Sequence, residues 1–117
     1  MCLLDAVLEW TDVSIVCQAR SHTGPEHPLR AHGRLGVAAG IEYAAQAMAV
    51  HGALLAPTAE SPPRGYLTSV RGLTMHVDRL DDLSGLLRVS AERLSGDTRL
   101  ILYQFHIHHE NRCLLEG

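Results

Sequence analysis

The sequence lacks the features that would assign it to several large classes of protein. It has no basic excess, because 10 lysine and arginine residues against 13 aspartate and glutamate residues leave a net charge of −3. This balance argues against a nucleic-acid-binding surface. No run of about 18 apolar residues is free of polar interruption, so no segment is expected to span a membrane. The first residues contain no basic segment before an apolar one, and no secretory signal peptide is therefore expected.

Cysteine is scarce and widely spaced. Cys2, Cys17 and Cys113 are three in a chain of 117 residues, and this odd, dispersed set predicts no disulfide framework. Gly-x-Ser-x-Gly, Walker and dinucleotide-binding motifs are also absent. We therefore expect a reduced, cytoplasmic protein with a single domain over residues 1–117. A domain of this size with exposed sheet edges often gains stability by forming oligomers.

The most informative stretch that is present covers residues 40–56. It is rich in alanine, the best helix former, and it lies between Gly40 and Pro57. It is apolar almost all round, which predicts a buried helix. Glu42 and Gln46 are exceptions, four residues apart on one face of the helix. A carboxylate in apolar surroundings is costly unless it is partnered or protonated, so Glu42 is a candidate functional residue.

Alternating apolar and polar residues predict strands on both sides of this helix. An apolar stretch at 2–10 and a strand from Val13 to Arg20 come before it, followed by a loop at 21–39. An exposed connector follows the helix at 57–65. Four further strands are expected in a meander, at residues 66–79 with a bulge at Gly72, 87–92, 99–109 after a tight hairpin at 95–97, and 113–117. The expected class is α+β, with a curved antiparallel sheet wrapped around one long central helix.

Three parts of the chain resemble one known family. Glu42-Tyr-Ala-Ala-Gln46 is similar to the helix motif of that family, and Met1-Cys-Leu-Leu-Asp5 is similar to its opening strand. Residues 67–78 and 87–117 are similar to its later strands. The chain thus resembles the hotdog fold, and more narrowly the 3-hydroxyacyl-acyl-carrier-protein dehydratases of the FabA/FabZ type, above all their ApeP-like branch. That branch is associated with aryl-polyene and related lipid pathways. Compared with this family, the chain has almost no segment before its first strand, and its last strand ends early. These two differences predict a truncated or compact variant.

The resemblance implies a reaction and a set of site residues. The implied reaction removes water from a 3-hydroxyacyl thioester, without a cofactor, to give a trans-2-enoyl thioester in fatty acid or aryl-polyene-type biosynthesis. In this family a histidine removes the C2 proton and the helix acid protonates the departing hydroxyl, usually from different protomers of a dimer. Glu42 matches the acid, and Gln46 would orient it. Backbone N–H groups near Gly36, Gly40 and Ile41 would polarise the thioester carbonyl.

Two loop histidines are equal candidates for the base. His27-Pro-Leu resembles the family pattern His-Phe-Pro, with Gly36 nine residues on and Glu42 fifteen on, one more than the pattern has. His22 follows the strand directly, where a strand-end base could also lie. His32 is a weaker candidate. The alternative is that all three are solvated loop residues.

Other histidines and cysteines carry weaker hypotheses. His106 and His108 share one face of a strand and could chelate a metal ion, but no third ligand is evident, so we favour a polar sheet face and expect no metal. His51 points away from Glu42, which predicts a role in packing or at an interface. Cys17 lies on the inward side of its strand and is expected in the core.

Two other functions remain open. One is a hotdog acyl-thioesterase that would use Glu42 as base or nucleophile and release a free acid. The other is a non-catalytic hotdog subunit that pairs with an active dehydratase. The loop histidines favour dehydration, because thioesterases of this fold do not require them. The expected partners are an acyl carrier protein with its phosphopantetheine-linked substrate and a second subunit, in a homodimer, a heterodimer or a larger assembly, without nucleic acid or membrane.

Overall fold

The computed structural model describes residues 3–24, 27–29, 35–55, 72–83, 85–96 and 101–117. Short 3-10 helices at Ser21–Thr23 and Val37–Ala39 lie on either side of the loop that precedes the α-helix. The main elements, in chain order, are β1 (Ala6–Trp10), β2 (Ser14–Ala19), α1 (Gly40–Leu55), β3 (Thr74–Met75), β4 (Leu87–Gly96), β5 (Ile101–His109) and β6 (Arg112–Glu116). In these ranges, no helix has the length and apolar character needed to cross a membrane.

The strands form one antiparallel sheet in the order β1-β2-β4-β5-β6-β3. The predicted α+β class is confirmed. The predicted meander of four strands is wrong, because only β4, β5 and β6 are neighbours in chain order, whereas β3 pairs with β6 at the far edge. The crossover from β2 through α1 and β3 lets β2 pair with β4 in the middle of the sheet.

The strand predicted at 66–79 can be compared with the structure only from Gly72 onwards. Within the described residues only Thr74–Met75 is strand, and residues 66–71 lie outside the description. Beyond His76 the backbone changes partner: Val37 N–H donates to Asp78 O over 3.0 Å, and Leu80 N–H donates to Leu35 O over 2.8 Å. The segment therefore leaves the sheet to hold the residues that lead into α1.

Two predictions about turns are also corrected. Gly72 has a φ of 62°, a conformation that glycine adopts readily, and it lies in a bend before β3 rather than in a paired bulge. The tight hairpin predicted at 95–97 is wrong at Ser95 and Gly96, because both belong to β4, where they pair with Leu102 and Ile101. Asp97 lies outside the described residues.

The residues predicted to face inward on β2 and β4 lie side by side on one face of the sheet. The buried side chains pair directly: Ile15 with Ala91, Cys17 with Val89, and Ala19 with Leu87. On β5 the inward face is confirmed only in its second half, where Phe105 and Ile107 are buried, since Ile101 is exposed. The core therefore lies where β2, β4 and the end of β5 face α1.

The helix buries one side rather than its whole circumference. It begins at Gly40, which is its first residue and not the residue before it, and it ends at Leu55; Ala56 lies outside the described residues. Its buried residues recur every three or four positions, as a single face does: Gly40, Tyr43, Ala44, Ala47 and His51. The predicted buried helix is thus buried, within the single chain, on the one face that the sheet covers.

Gly40 sets the distance between the helix and the sheet. A Cβ atom at this position would lie 2.6 Å from Cδ2 of Leu115 and 2.8 Å from Cδ1 of Ile107, and both of those side chains are fully buried. These separations are shorter than van der Waals contact allows. Glycine at this position therefore lets the first turn of α1 approach β5 and β6 closely.

An ion pair holds the segment that leads into the helix. The Asp81 carboxylate accepts two hydrogen bonds from Arg79, over 2.8 and 2.6 Å, and one from the Leu35 N–H over 3.1 Å. The Arg79 guanidinium, with the Leu35 N–H, holds the pKa of Asp81 well below its ordinary value. The turn after β3 is thereby fixed to the backbone that precedes α1.

Replacing Gly40 by alanine should destabilise the protein. Overpacking of a well-packed core costs about 1–3 kcal/mol, against which the helix propensity of alanine returns up to about 1 kcal/mol. Gly52→Ala is the matched control, since a Cβ atom there meets no atom within 4 Å. We expect Gly52→Ala to raise the free energy of unfolding measured in urea and Gly40→Ala to lower it. Equal effects of the two substitutions would contradict the close approach.

The stability of the protein should fall in acid partly through Asp81. An acid whose pKa is lower in the folded state stabilises the fold above its unfolded pKa, about 3.9, and loses that contribution as the pH falls through the folded pKa. Urea unfolding of the wild type and of Asp81→Asn should therefore differ most near neutral pH, and the difference should shrink below about pH 4. A difference that stays constant down to pH 2 would rule out this carboxylate as the titrating group.

Candidate functional site

The candidate acid lies near the start of α1 and is held by two neighbours. Gln46, one turn further along, donates from its side-chain amide to Glu42 Oε1 over 3.3 Å. The carbonyl oxygen of the same amide accepts the Leu3 N–H over 2.8 Å, which fixes which way the amide points. The orienting contact proposed between Gln46 and Glu42 is thus present. Glu42 is half-buried rather than enclosed, because it lies beside the buried face of the helix and not within it.

A chain of hydrogen bonds starts at His27 and runs into the core. His27 Nε2 lies 3.0 Å from the Tyr43 hydroxyl, which lies 2.7 Å from Ser21 Oγ. Ser21 donates to Leu3 O over 2.9 Å, and the Leu29 N–H donates to His27 Nδ1 over 3.1 Å. Since the serine proton is committed to Leu3, Tyr43 donates to Ser21 and accepts from His27. The ring of His27 is therefore neutral, with its proton on Nε2.

His22 lies in a different environment, at the end of β2. Its side chain is fully buried, and its Nε2 lies 2.7 Å from the carbonyl oxygen of Leu83, to which it donates. Its Nδ1 is buried and has no hydrogen-bond partner in the described part of the structure. Burial lowers the pKa of His22, and the Leu83 carbonyl opposes that shift only in part. The ring is neutral and has an unused lone pair on Nδ1.

The structure does not join either histidine to the acid within one chain. Among the described residues, no hydrogen bond or ion pair connects Glu42 with His22 or His27. The helix explains this, because consecutive residues are rotated by about 100° around its axis. Tyr43 faces His27, so Glu42 faces another direction. His32, the weaker candidate, lies outside the described residues.

The backbone at the helix start is partly engaged inside the chain. The Gly40 N–H donates to the carbonyl groups of Val37 and Ala38, and the Ala39 N–H donates to Gly36 over 3.1 Å. Part of the predicted set of donors for a thioester carbonyl therefore already has partners. The binding roles of Gly36, Gly40 and Ile41 stay predictions.

Sequence reasoning missed Tyr43, the residue at the centre of the chain of hydrogen bonds that starts at His27. Tyr43 is fully buried, its ring lies 5.9 Å from that of His27, and burial raises the pKa of its hydroxyl. A tyrosine on the apolar face of a helix is itself a signal, because a buried hydroxyl normally needs a hydrogen-bond partner. Its partners, Ser21 and His27, depend on the conformation of the loop after β2. The spacing of residues in the sequence therefore could not identify them.

The remaining single-residue predictions can be compared with the structure directly. His51 is fully buried, with Nδ1 2.6 Å from the Tyr103 hydroxyl and Nε2 2.8 Å from Thr11 O, so the packing role is confirmed. Cys17 is fully buried, and burial raises the pKa of its thiol, in agreement with a core position. His106 and His108 share a face of β5, with stacked rings 5.9 Å apart.

The arrangement around Glu42 can perform one half of acid–base chemistry. A half-buried carboxyl group held by an amide can give a proton to a bound substrate, and the acceptor of the C2 proton must be a separate base. The described residues bring the acid and its positioning amide together, but they do not bring a base against the acid.

Comparison with known proteins identifies the family that the sequence matches. The model of the ApeP-like family, ApeP dehydratase, matches the whole chain, residues 1–117. No curated protein matches the sequence.

Two solved structures are similar in fold. One is the dehydratase heterocomplex ApeI:P from Xenorhabdus doucetiae, with a TM-score of 0.83, 22% identity, and coverage of 99% of this chain and 78% of that chain. The other is a mutant of a hypothetical protein from Staphylococcus aureus, with a TM-score of 0.67, 16% identity, and coverage of 95% and 85%. At these identities they establish the fold alone, and the hotdog architecture is confirmed.

Removing the Tyr43 hydroxyl should destabilise the fold. Tyr43→Phe leaves buried polar atoms of Ser21 and His27 without their partner, at a cost of about 1–3 kcal/mol. Tyr103→Phe is the control, because it also removes a hydroxyl bonded to a histidine but at a half-buried position that water can reach. Urea unfolding should show the larger loss for Tyr43→Phe. A loss confined to Tyr103→Phe would mean that the chain of hydrogen bonds does not support the site.

Proposed function

This chain belongs to the ApeP-like dehydratase family, and from that membership we propose that it takes part in removing water from a 3-hydroxyacyl thioester. In this proposal the acyl group is carried on the phosphopantetheine arm of an acyl carrier protein in the cytoplasm. The product is a trans-2-enoyl thioester of the kind used in fatty acid or aryl-polyene-type biosynthesis. No cofactor enters the reaction.

The observation that carries this proposal is the fixed position of Glu42. Its carboxyl group is held by Gln46, whose other end is held by the Leu3 backbone. Such preorganisation is what a general acid needs, because the proton must be delivered to one atom, the departing C3 hydroxyl. The half-buried position leaves part of the Glu42 residue accessible from solvent.

The proposed reaction has two proton transfers, one to a base and one from Glu42. A base removes a proton from C2, the C2–C3 double bond forms as the C3–O bond breaks, and Glu42 protonates the leaving hydroxyl to give water. The base ends protonated and Glu42 ends as a carboxylate, and both return to their starting states by exchange with solvent. His27 and His22 both remain proposed bases: His22 has an unused lone pair on Nδ1, whereas His27 would have to exchange its hydrogen bond from Leu29 for the C2 proton.

We further propose that a second hotdog subunit completes the site. The side of α1 that its own sheet leaves half-buried or exposed is apolar, with Ile41, Ala45, Met48 and Ala49 along it. Apolar area of this kind favours association. A partner on this side of the helix could bring a histidine towards Glu42, to which no histidine of the described residues is bonded. The similar structure from Xenorhabdus doucetiae is a heterocomplex, so the partner can be a related subunit as well as a second copy.

One observation favours a second candidate function, a non-catalytic subunit that supports an active partner. Both ring nitrogens of His27 have hydrogen bonds inside the chain, and the ring of His22 is fully buried. Histidines held in this way can serve the fold instead of the reaction. In that case this chain would supply only structure and the partner would supply both acid and base.

The reaction should be tested by mass spectrometry of a 3-hydroxyacyl-carrier-protein incubated with the pure protein, alone and mixed with a second hotdog subunit of the dehydratase type. We expect loss of one water, and we expect Glu42→Gln to reduce the rate by about 100-fold or more, the range typical of lost general acid catalysis. Glu92→Gln is the control, because Glu92 is an exposed carboxylate on β4.

Each result decides between the candidates. Water loss that survives Glu42→Gln, with activity present only in the mixture, would overturn the acid role and favour the non-catalytic subunit. Release of the free acid would identify a thioesterase. In an active sample, His27→Gln and His22→Gln separate the two proposed bases, because loss of the base lowers the rate by far more than the measured loss of stability accounts for.

A further inference from the structure

Outside the site around Glu42, the structure brings a histidine, a cysteine and a glutamate together at one edge of the sheet. Cys113 and Glu116 lie on β6, and His76 directly follows β3. The Sγ atom of Cys113 lies 3.3 Å from Oε2 of Glu116, and Nε2 of His76 lies 3.7 Å from the same oxygen. We refer to these three residues as the edge cluster.

A bulge in β6 creates this cluster. In a regular strand, residues three apart point to opposite faces of the sheet. Here Cys113 pairs with His108 and Leu115 pairs with Ile107, so the register shifts and Leu114 is the extra residue. Leu114 and Leu115 are consequently both buried on the side of the core. Cys113 and Glu116 thereby share the other face, which the sequence pattern alone would not predict.

The distances within the edge cluster fit a tetrahedral zinc ion. Zinc lies about 2.0–2.2 Å from nitrogen and oxygen ligands and about 2.3 Å from sulfur, which puts ligand atoms about 3.4–3.6 Å apart. The two separations given above are close to that range, and all three ligand atoms lie within 4.8 Å of one another. The third separation, between His76 Nε2 and Cys113 Sγ, is no more than 4.8 Å, and the His76 side chain is exposed.

The donor set and its exposure also fit zinc. Thiolate, imidazole and carboxylate together favour a borderline-soft ion over magnesium or calcium, which prefer oxygen ligands alone. The side chains of His76 and Glu116 are 42% and 41% exposed, so an ion can reach them from solvent.

Two further imidazoles lie beside the edge cluster. His106 is directly opposite Glu116, and His108 is directly opposite Cys113, on the neighbouring strand. The sequence predicts that these two histidines share one face of a strand, with no third ligand evident. A polar sheet face is therefore the favoured prediction from sequence alone. The structure supplies the missing ligands from β6 and from the residue after β3. One of these imidazoles or a water molecule can occupy the fourth position.

We propose that His76, Cys113 and Glu116 bind a zinc ion that clamps β3 to β6. Within the described residues, β3 pairs with β6 at two positions, Thr74 with Glu116 and Met75 with Leu115. On binding, a Zn–S bond replaces the S–H bond of Cys113, and the thiol proton passes to water. His76 contributes the Nε2 lone pair and Glu116 contributes Oε2. The site lies on the face of the sheet opposite α1, so it is independent of the proposed dehydration.

The test uses the untagged, metal-free protein titrated with Zn²⁺ in competition with a chromophoric chelator. We expect one ion per chain and a loss of affinity of at least about tenfold for His76→Gln and for Cys113→Ser. Cys2→Ser and His109→Gln are the matched thiol and imidazole controls and should bind as the wild type does. If Cys113→Ser does not fold, His76→Gln decides alone, because His76 is exposed.

Two spectroscopic and exchange measurements identify the ligands and the clamp. Co²⁺ in place of Zn²⁺ should give a sulfur-to-metal charge-transfer band that Cys113→Ser abolishes and Cys2→Ser retains. Hydrogen exchange of the His76 amide, which donates to Leu114 O over 2.8 Å, should slow several-fold on addition of Zn²⁺. Binding that is equal in wild type and both ligand variants, or no binding at all, would overturn the proposal. Binding without slower exchange would overturn the clamp.

Discussion

The close approach of α1 to the sheet at Gly40 is the constraint on which the rest of the structure depends. Leu115 and Ile107 fill the space that a side chain at this position would need. This contact fixes the rotation of the helix, because a helix seated on one residue of its first turn presents the following residues at set angles. Tyr43 is thereby directed into the core and Glu42 to the edge of the buried face. The position of the candidate acid is thus a consequence of packing at a residue that has no side chain.

The polar groups near the helix start are arranged around that geometry. A buried hydroxyl is tolerated only with partners, and Tyr43 has two, Ser21 and His27, which tie β2 and the following loop to the helix. Glu42 remains outside this chain of bonds and is held instead by Gln46. The buried polar network therefore supports the fold, whereas the carboxyl group beside it stays half-buried at the edge of the buried face. This division agrees with a site that a second subunit completes.

The two faces of the sheet have separate physical roles. The face towards α1 is filled by aliphatic and aromatic side chains such as Val89 and Phe105, which makes it the core. The opposite face of β5 and β6 carries histidine, cysteine and glutamate side chains, and the bulge at Leu114 is what brings the last two together. A single extra residue in an edge region thus converts a polar surface into a set of convergent donors.

The sequence by itself determined a helix within residues 40–56, the inward faces of β2 and β4, and the α+β class. It also singled out Glu42 and Gln46 as the residues to examine. These follow from local rules, because propensity, periodicity and i, i+4 spacing depend only on near neighbours in the chain. Only the tertiary structure decided that β3 joins β6, that Tyr43 bonds to His27, and that His76 reaches Cys113. Each of these contacts joins residues far apart in sequence, and their choice depends on how loops close and where a bulge falls. No local pattern contains that information.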